Sequence, residues 1–345
     1  VNCFLGDNGV GKTNLLDAIY YLSFCKSYYS SFDSNNIRYG ENFFMLKGDF
    51  VNNDIDLEIK GSLIKKQKQF KFNDKKYDKL SDHIGKIPLI IINPLDSGLI
   101  IGGAEERRKF INKLLSQLDK KYLTDLILYN KTLRQRNALL KDLKTRPLNE
   151  DLLLTYDEKL CDLGHQIYLK RKDCISTILN AIQNYYDFIA KKNEHVGIVY
   201  KSELNECSFK DLLDRNRQKD RTLMFTSSGI HRDDFIFSIN NHSLKQSGSQ
   251  GQQKTFLIAL KFAYFDVLKF RLGITPILLL DDIFDKLDAG RLEQIVRILN
   301  KNEFGQIFIT DTSFERIDSI MDKVSSSCKY FMFNQEGLYE EKLKK

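Results

Sequence analysis

The run Gly6-Asp7-Asn8-Gly9-Val10-Gly11-Lys12-Thr13 constrains this chain more than any other feature. It fits the phosphate-loop pattern G-x-x-x-x-G-K-[ST]. Backbone N–H groups approach triphosphate oxygens in such a loop, which glycine permits, and the following helix presents its positive end. The flanks agree. Val1–Leu5 is a strand-like apolar run, and Leu15, Ala18, Ile19 and Leu22 repeat at i, i+3, i+4, i+7, the stripe of an amphipathic helix. Lys12 is expected to reach the β/γ-phosphates of ATP, and the Thr13 hydroxyl to ligate Mg²⁺.

A second segment completes such a site. Ile277–Leu280 is a continuous apolar run, opened by Pro276 and ending in Asp281 and Asp282. Asp281 is expected to hold the Mg²⁺ shell, and Asp282 to accept a proton from, or orient, an attacking water. Solvated strand-exit acids are the plainer alternative. Between the two segments, Ser247-Gly248-Ser249-Gln250-Gly251-Gln252-Gln253 opens a helix that is apolar almost all round, to about Phe270. A hydroxyl, a glycine and free helix-end N–H groups make a second anion-binding end. With one loop and one such end per chain, two chains can pair two-fold and sandwich two ATP molecules. A flexible polar turn is the alternative.

The chain between these motifs changes period. Phe43–Val51 and Asp54–Ile59 read as strands, followed by a lysine-rich hairpin with a turn at Asn73-Asp74 and a buried strand at Leu89–Ile92. Phe110, Ile111, Leu114, Leu115 and Leu118 then open a helical region broken by Pro147. Strands return at Phe235–Ile239 and Ile307–Ile309. The expected fold is α/β, a P-loop head with a mostly parallel sheet. Residues 1–95 and 225–345 form the discontinuous head, and 96–224 an inserted helical domain.

Taken together, the loop GDNGVGKTNLLDAIYYLSFCKS, the stretch ERRKFINKLLSQLDKKYLTDLILYNKTLRQRNALLK, the segment GIHRDD, the signature SGSQGQQK and the strand LLLDDIFDKLD resemble the RecF family of ABC-type/SMC-like ATPases. The likeness runs from Val1 to about Thr312. It implies an ATP-dependent DNA-binding protein of repair and replication-fork maintenance that pairs as an ATP-dependent homodimer. Such a protein recognises single-stranded and gapped or junction DNA, acts with RecO and RecR to load RecA, and supports SOS induction. The resemblance implies slow hydrolysis used as a switch. It assigns Ser249, Gly251 and Gln252 to capping the partner's γ-phosphate, and Asp285-Lys286-Leu287-Asp288 to a loop crossing the dimer interface. Three departures from the family pattern stand out. The chain has no initiator Met and lacks the strands before the loop, so an N-terminally truncated head is expected. Asp282 stands where many ABC-type ATPases carry Glu. Thr310-Asp311-Thr312 stands where many have a switch histidine. A transporter motor and a defence-system ATPase are the rival readings.

The net charge of +7 fits an anionic partner such as nucleic acid. Arg107, Arg108, Lys109, Arg134 and Arg136 are candidate phosphate contacts, with ordinary ion pairing as the alternative. Lysines 65, 66, 68, 71, 75, 76 and 79 crowd the hairpin, either as a solvated edge or against backbone phosphates. His231-Arg232-Asp233-Asp234 reads as a turn entering a strand rather than a metal cluster. Six scattered cysteines read as reduced thiols of a cytoplasmic protein. No apolar run is long enough to span a bilayer, so no membrane role is expected.

Overall fold

The computed structural model describes residues 1–344 except 53–54, 145–146, 285–286, 302–303, 325–326 and 335–336, with backbone alone for 337–344. Two compact units emerge. The first comprises Val1–Asp96, Tyr185–Lys191 and Leu257–Lys345, the second Ser97–Asn184 and Lys192–Phe256.

The chain opens with β1 (Asn2–Leu5) and α1 (Lys12–Phe24). An antiparallel meander follows: β2 (Phe43–Asn52), β3 (Ile55–Ile64), β4 (Gln67–Phe72) and β5 (Lys75–Lys76). Strand β3 runs past Ile59 because Ile59, Gly61 and Leu63 keep pointing to the buried face. After β6 (Leu89–Ile92) come α2 (Gly98–Ile101), α3 (Ala104–Leu118), α4 (Lys120–Asp142) and α5 (Glu150–Ala190). Next are β7 (Val196–Lys201), α6 (Phe209–Leu223), β8 (Asp234–Ile239), β9 (His242–Ser243), α7 (Leu244–Ser247) and α8 (Gln250–Leu272). The chain closes with β10 (Ile277–Asp281), α9 (Ala289–Leu299), β11 (Ile307–Asp311), α10 (Phe314–Met321) and the hairpin β12 (Cys328–Asn334) and β13 (Gly337–Lys344).

In the first unit the main sheet has the order β13-β12-β1-β11-β10-β6. Every pairing is parallel except that of β13 with β12. The apolar runs at 89–92 and 277–280 are its strands, as their two-sided burial requires. Register sets Leu5 against Asp311 and Asp281 against Thr310, so β1, β10 and β11 end level. Helix α1 packs by Leu16, Tyr20 and Phe24 on Phe4, Leu89, Ile91 and Leu279 of this sheet. Its Tyr21 and Leu22 meet Ile59 and Phe70 of the meander. Both contacts fix where the helix begins, and hence the loop before it.

In the second unit the helical expectation for 96–224 meets a difference. Val196–Lys201 is a strand, paired antiparallel with β8 from Val196↔Ile239 to Lys201↔Asp234. That pairing draws residues 225–256 into this unit. The expectation that Arg107 and Arg136 face DNA phosphates fails, because both are buried. Arg136 donates to Asp157 Oδ1 at 2.5 Å and Asp220 Oδ2 at 2.7 Å. Arg107 forks onto Asp234 at 2.7 and 3.0 Å. Within the 231–234 turn Arg232 is exposed, while Asp233 is buried and accepts from Arg171 at 3.0 Å and from Tyr200. Arg134 remains exposed.

Candidate nucleotide site

The loop leaves β1 at the carboxyl edge of the sheet, where ligands of open α/β sheets bind. Gly11 caps α1 at φ 100°, a left-handed conformation that glycine adopts without strain. At Gly6 a Cβ would lie 2.4 Å from the carbonyl oxygen of Phe333, so no larger residue fits there. Gly9 is also left-handed, and Asp7, Asn8 and Val10 complete the turn. Lys12 is 4% exposed and folds over the loop, donating to Gly6 O at 2.6 Å and Asp7 O at 2.8 Å. An ammonium has three donors, so these bonds leave one for a phosphate. A cleft of about 970 Å³ opens beside the loop, lined by Gly6, Asn8, Gly9, Thr312, Phe314 and Phe333 among others.

The structure brings Thr13 and Asp281 together from 268 residues apart. Thr13 Oγ1 donates to Asp281 Oδ1 at 3.1 Å. Thr310 Oγ1 donates to the same oxygen at 2.6 Å, and Tyr29 OH to Oδ2 at 2.5 Å. Asp281 is 4% exposed. Thr310 is fully buried and committed to Asp281, so Thr312, exposed at the cleft, is the hydroxyl of this segment that faces solvent. Asp282 follows at φ 47°, a left-handed conformation that aspartate tolerates better than most residues, and its N–H meets Thr310 Oγ1 at 3.2 Å.

Ser249, Gly251 and Gln252 stand in the second unit at the start of α8. Ser249 Oγ accepts from Gln252 N at 3.2 Å, and Gln252 Oε1 accepts from Ser249 N at 2.8 Å. This reciprocal capping box pins the helix end. Gly251 lies in the first turn, its carbonyl accepting from Thr255. The Ser249 hydroxyl proton is not used in these bonds. Of the segment 285–288, Asp285 and Lys286 lie outside the described residues. Asp288 caps α9, accepting from Arg291 N at 2.9 Å.

Several residues at the first unit's site escaped the sequence reading. Tyr29 sits on a turn organised by Asp17, which accepts from Ser27 Oγ at 2.6 Å and Tyr28 N at 2.7 Å. Burial pushes the Asp17 carboxyl above its ordinary value. Lys261, buried within apolar α8, donates to Asp96 Oδ1 at 2.7 Å and Ile91 O at 2.8 Å, and Tyr28 OH joins Asp96 at 2.8 Å. Asn93, just after β6, is buried with its amide Nδ2 lacking a hydrogen-bond partner among the described residues. Only its place inside the apolar run Phe256–Phe265 signals Lys261 in the sequence.

A protein-family model described as an AAA domain, putative AbiEii toxin, type IV TA system, matches residues 1–310. The DNA replication and repair protein RecF of Bacteroides thetaiotaomicron is 46% identical over 342 residues, covering 99% of this chain and 92% of that protein. The chain belongs to the RecF family of DNA replication and repair proteins, within that AAA domain class. The RecF of Flavobacterium johnsoniae is 48% identical over 333 residues, 96% of this chain and 93% of the relative. Among solved structures, the recombination mediator protein RecF-ATP of the RecFOR pathway superposes with a TM-score of 0.88 at 30% identity, covering 100% of this chain and 91% of that one. An Smc head domain from Pyrococcus furiosus, at 13% identity and a TM-score of 0.56, shares the fold.

The residues present suit Mg·ATP. Glycines with no Cβ line the loop, one Lys12 donor is left over, and Thr13 with Asp281 offers the hard oxygen donors that Mg²⁺ prefers. Among the described residues, no helix of this RecF-family chain is long and apolar enough to cross a membrane.

Proposed function

We propose that this RecF-family chain is an ATP-gated DNA clamp of the cytoplasm. The carrying observation is the hydrogen bond from Thr13 Oγ1 to Asp281 Oδ1, at 3.1 Å, beside a lysine already folded over the loop. Gly6 through Thr13 bind the triphosphate, and Thr13 and Asp281 hold Mg²⁺. Bound Mg·ATP supplies a γ-phosphate that can be removed by water. Asp282 accepts the proton of that water. Ser249, Gly251 and Gln252 of a second copy close over the γ-phosphate, with the unused Ser249 hydroxyl proton as donor, so two copies pair only while it is present. Asp285 to Asp288 reach across that interface.

The paired form binds DNA at gaps and single-strand junctions and acts with RecO and RecR to load RecA. The RecFOR relative supports this reading, as does the net charge of +7. Sedimentation velocity with ATP·Mg²⁺ against ADP·Mg²⁺ tests the gate: dimers with ATP and monomers with ADP are expected. A chain that stays monomeric at micromolar concentration in saturating ATP·Mg²⁺ overturns the reading.

A further inference from the structure

The meander of the first unit turns one face to α1 and the other to solvent. Register lines up four lysines across the solvent face: Lys47↔Lys60, Lys60↔Lys71 and Lys71↔Lys76. Like charges placed directly opposite destabilise a sheet unless something neutralises them. Lys47 and Lys60 have that help, from Glu58 at 2.7 and 2.6 Å and, for Lys60, from Asp74 at 2.8 Å. Lys71 and Lys76 have none among the described residues, and both are exposed.

The tip of the hairpin repeats the pattern. Lys65 and Lys66, between β3 and β4, have φ of 49° and 63°. Two other two-residue turns of this kind occupy the same conformation with Asn73-Asp74 and Asn240-Asn241, the residue types that tolerate it. Lysines at both positions carry backbone strain that an Asn-Gly turn would avoid, and they place two exposed charges at the β3–β4 tip, four residue pairs along the strands from the lysine row. Lys75 and Lys79 add two more exposed charges. None of Lys65, Lys66, Lys75 and Lys79 has a carboxylate partner among the described residues.

We infer that the solvent face of β3–β5, through Lys65, Lys66, Lys71 and Lys76, is a docking surface for the phosphate backbone of duplex DNA. The inference rests on the DNA-binding reading above and assigns it a surface. A duplex presents one negative charge per about 1.7 Å of axis, so the flexible lysine stems find partners without a fixed register. The outward positions of β4 are Gln67, Gln69 and Lys71, all polar, whereas Phe43, Met45 and Ile64 are exposed near the β3–β4 tip of the same face, so a comparison with vesicles decides between duplex and bilayer. Backbone contact without sequence reading is what such a face supports.

The test compares the wild-type chain with a variant carrying Lys65→Gln, Lys66→Gln, Lys71→Gln and Lys76→Gln, and with the charge reversal Lys71→Glu/Lys76→Glu. Binding to a blunt duplex is measured against salt in ATP·Mg²⁺. Each lost phosphate contact flattens the slope of log K against log[salt] by about 0.9, so the four-lysine variant should flatten it by about 3 to 4. ATP-dependent pairing should match wild type and the urea midpoint of the four-glutamine variant should be no lower than wild type, since opposed like charges are removed, which separates a lost contact from misfolding. An unchanged slope in variants that fold, while wild type binds duplex, overturns the surface and leaves the DNA-binding reading intact. Absence of duplex binding by wild type overturns both. Loss of binding to phosphatidylglycerol vesicles with unchanged duplex binding would reassign the face to membranes and refute the proposal.

Discussion

Tyr29 donates its hydroxyl to Asp281 Oδ2 at 2.5 Å, on the carboxylate oxygen that Thr13 and Thr310 leave open. The proposed metal acid is therefore held on both sides by protein. A hydrogen bond to a charged group contributes about 1.5–3 kcal/mol, so Tyr29 competes with a cation for that oxygen. Tyr29→Phe should lower the Mg²⁺ concentration needed for half-maximal ATP binding several-fold, leaving metal-free nucleotide binding unchanged. Magnesium titrations of a fluorescent ATP analogue measure this. A higher Mg²⁺ requirement would show that Tyr29 positions the carboxylate instead of guarding it.

Lys12→Met keeps the length of the side chain and removes its charge. The loss of one charge-assisted bond should weaken ATP roughly tenfold to a hundredfold. Calorimetric titration gives the affinity directly. Equal affinity in the variant would mean that the third donor of Lys12 does not reach a phosphate.

Asp282→Asn retains shape and hydrogen bonding but cannot take a proton. Single-turnover phosphate release should slow roughly a hundredfold or more, the usual contribution of a general base. ATP-bound pairs should last correspondingly longer. A shorter pair lifetime contradicts the assignment.

His231 gives the second unit a pH dependence. Its Nε2 lies 3.0 Å from the Thr226 carbonyl and must donate, so its Nδ1 accepts from Tyr129 OH at 2.8 Å. Burial then drives the ring pKa down from 6.5 to about 4. A depressed histidine contributes stability above its unfolded pKa and loses it as pH falls from 6.5 toward 4, by about 3 kcal/mol at most. Urea midpoints at pH 7 and pH 4.5 should therefore fall further in wild type than in His231→Gln. Identical pH dependence in the two would contradict this.

The phosphate loop, the acids closing β10 and the start of α8 were legible because each is a contiguous motif whose chemistry is written in adjacent residues. Groups joined only by folding were not. Tyr29 meets Asp281 across 252 residues and Lys261 meets Asp96 across 165, and neither spacing carries a local signal. Arg136 is different, since Tyr129, Thr132, Arg136 and Leu140 follow helical spacing on the buried side of α4. Its charge drew attention to solvent where its position already pointed inward. Strand β7 and the β12–β13 hairpin stayed hidden because they lack the continuous aliphatic runs that mark β6 and β10 and depend on partners supplied from elsewhere in the chain.

The central claim is that one nucleotide is shared between Lys12 of one copy and Ser249 of another. Mixing Lys12→Met copies with Ser249→Arg copies tests it most directly, because a mixed pair retains one intact site while each variant alone has none. Sedimentation in ATP·Mg²⁺ should show monomers for either variant alone and mixed pairs, each holding one ATP, for the equimolar mixture. A mixture that stays as monomeric as its two components would contradict the account.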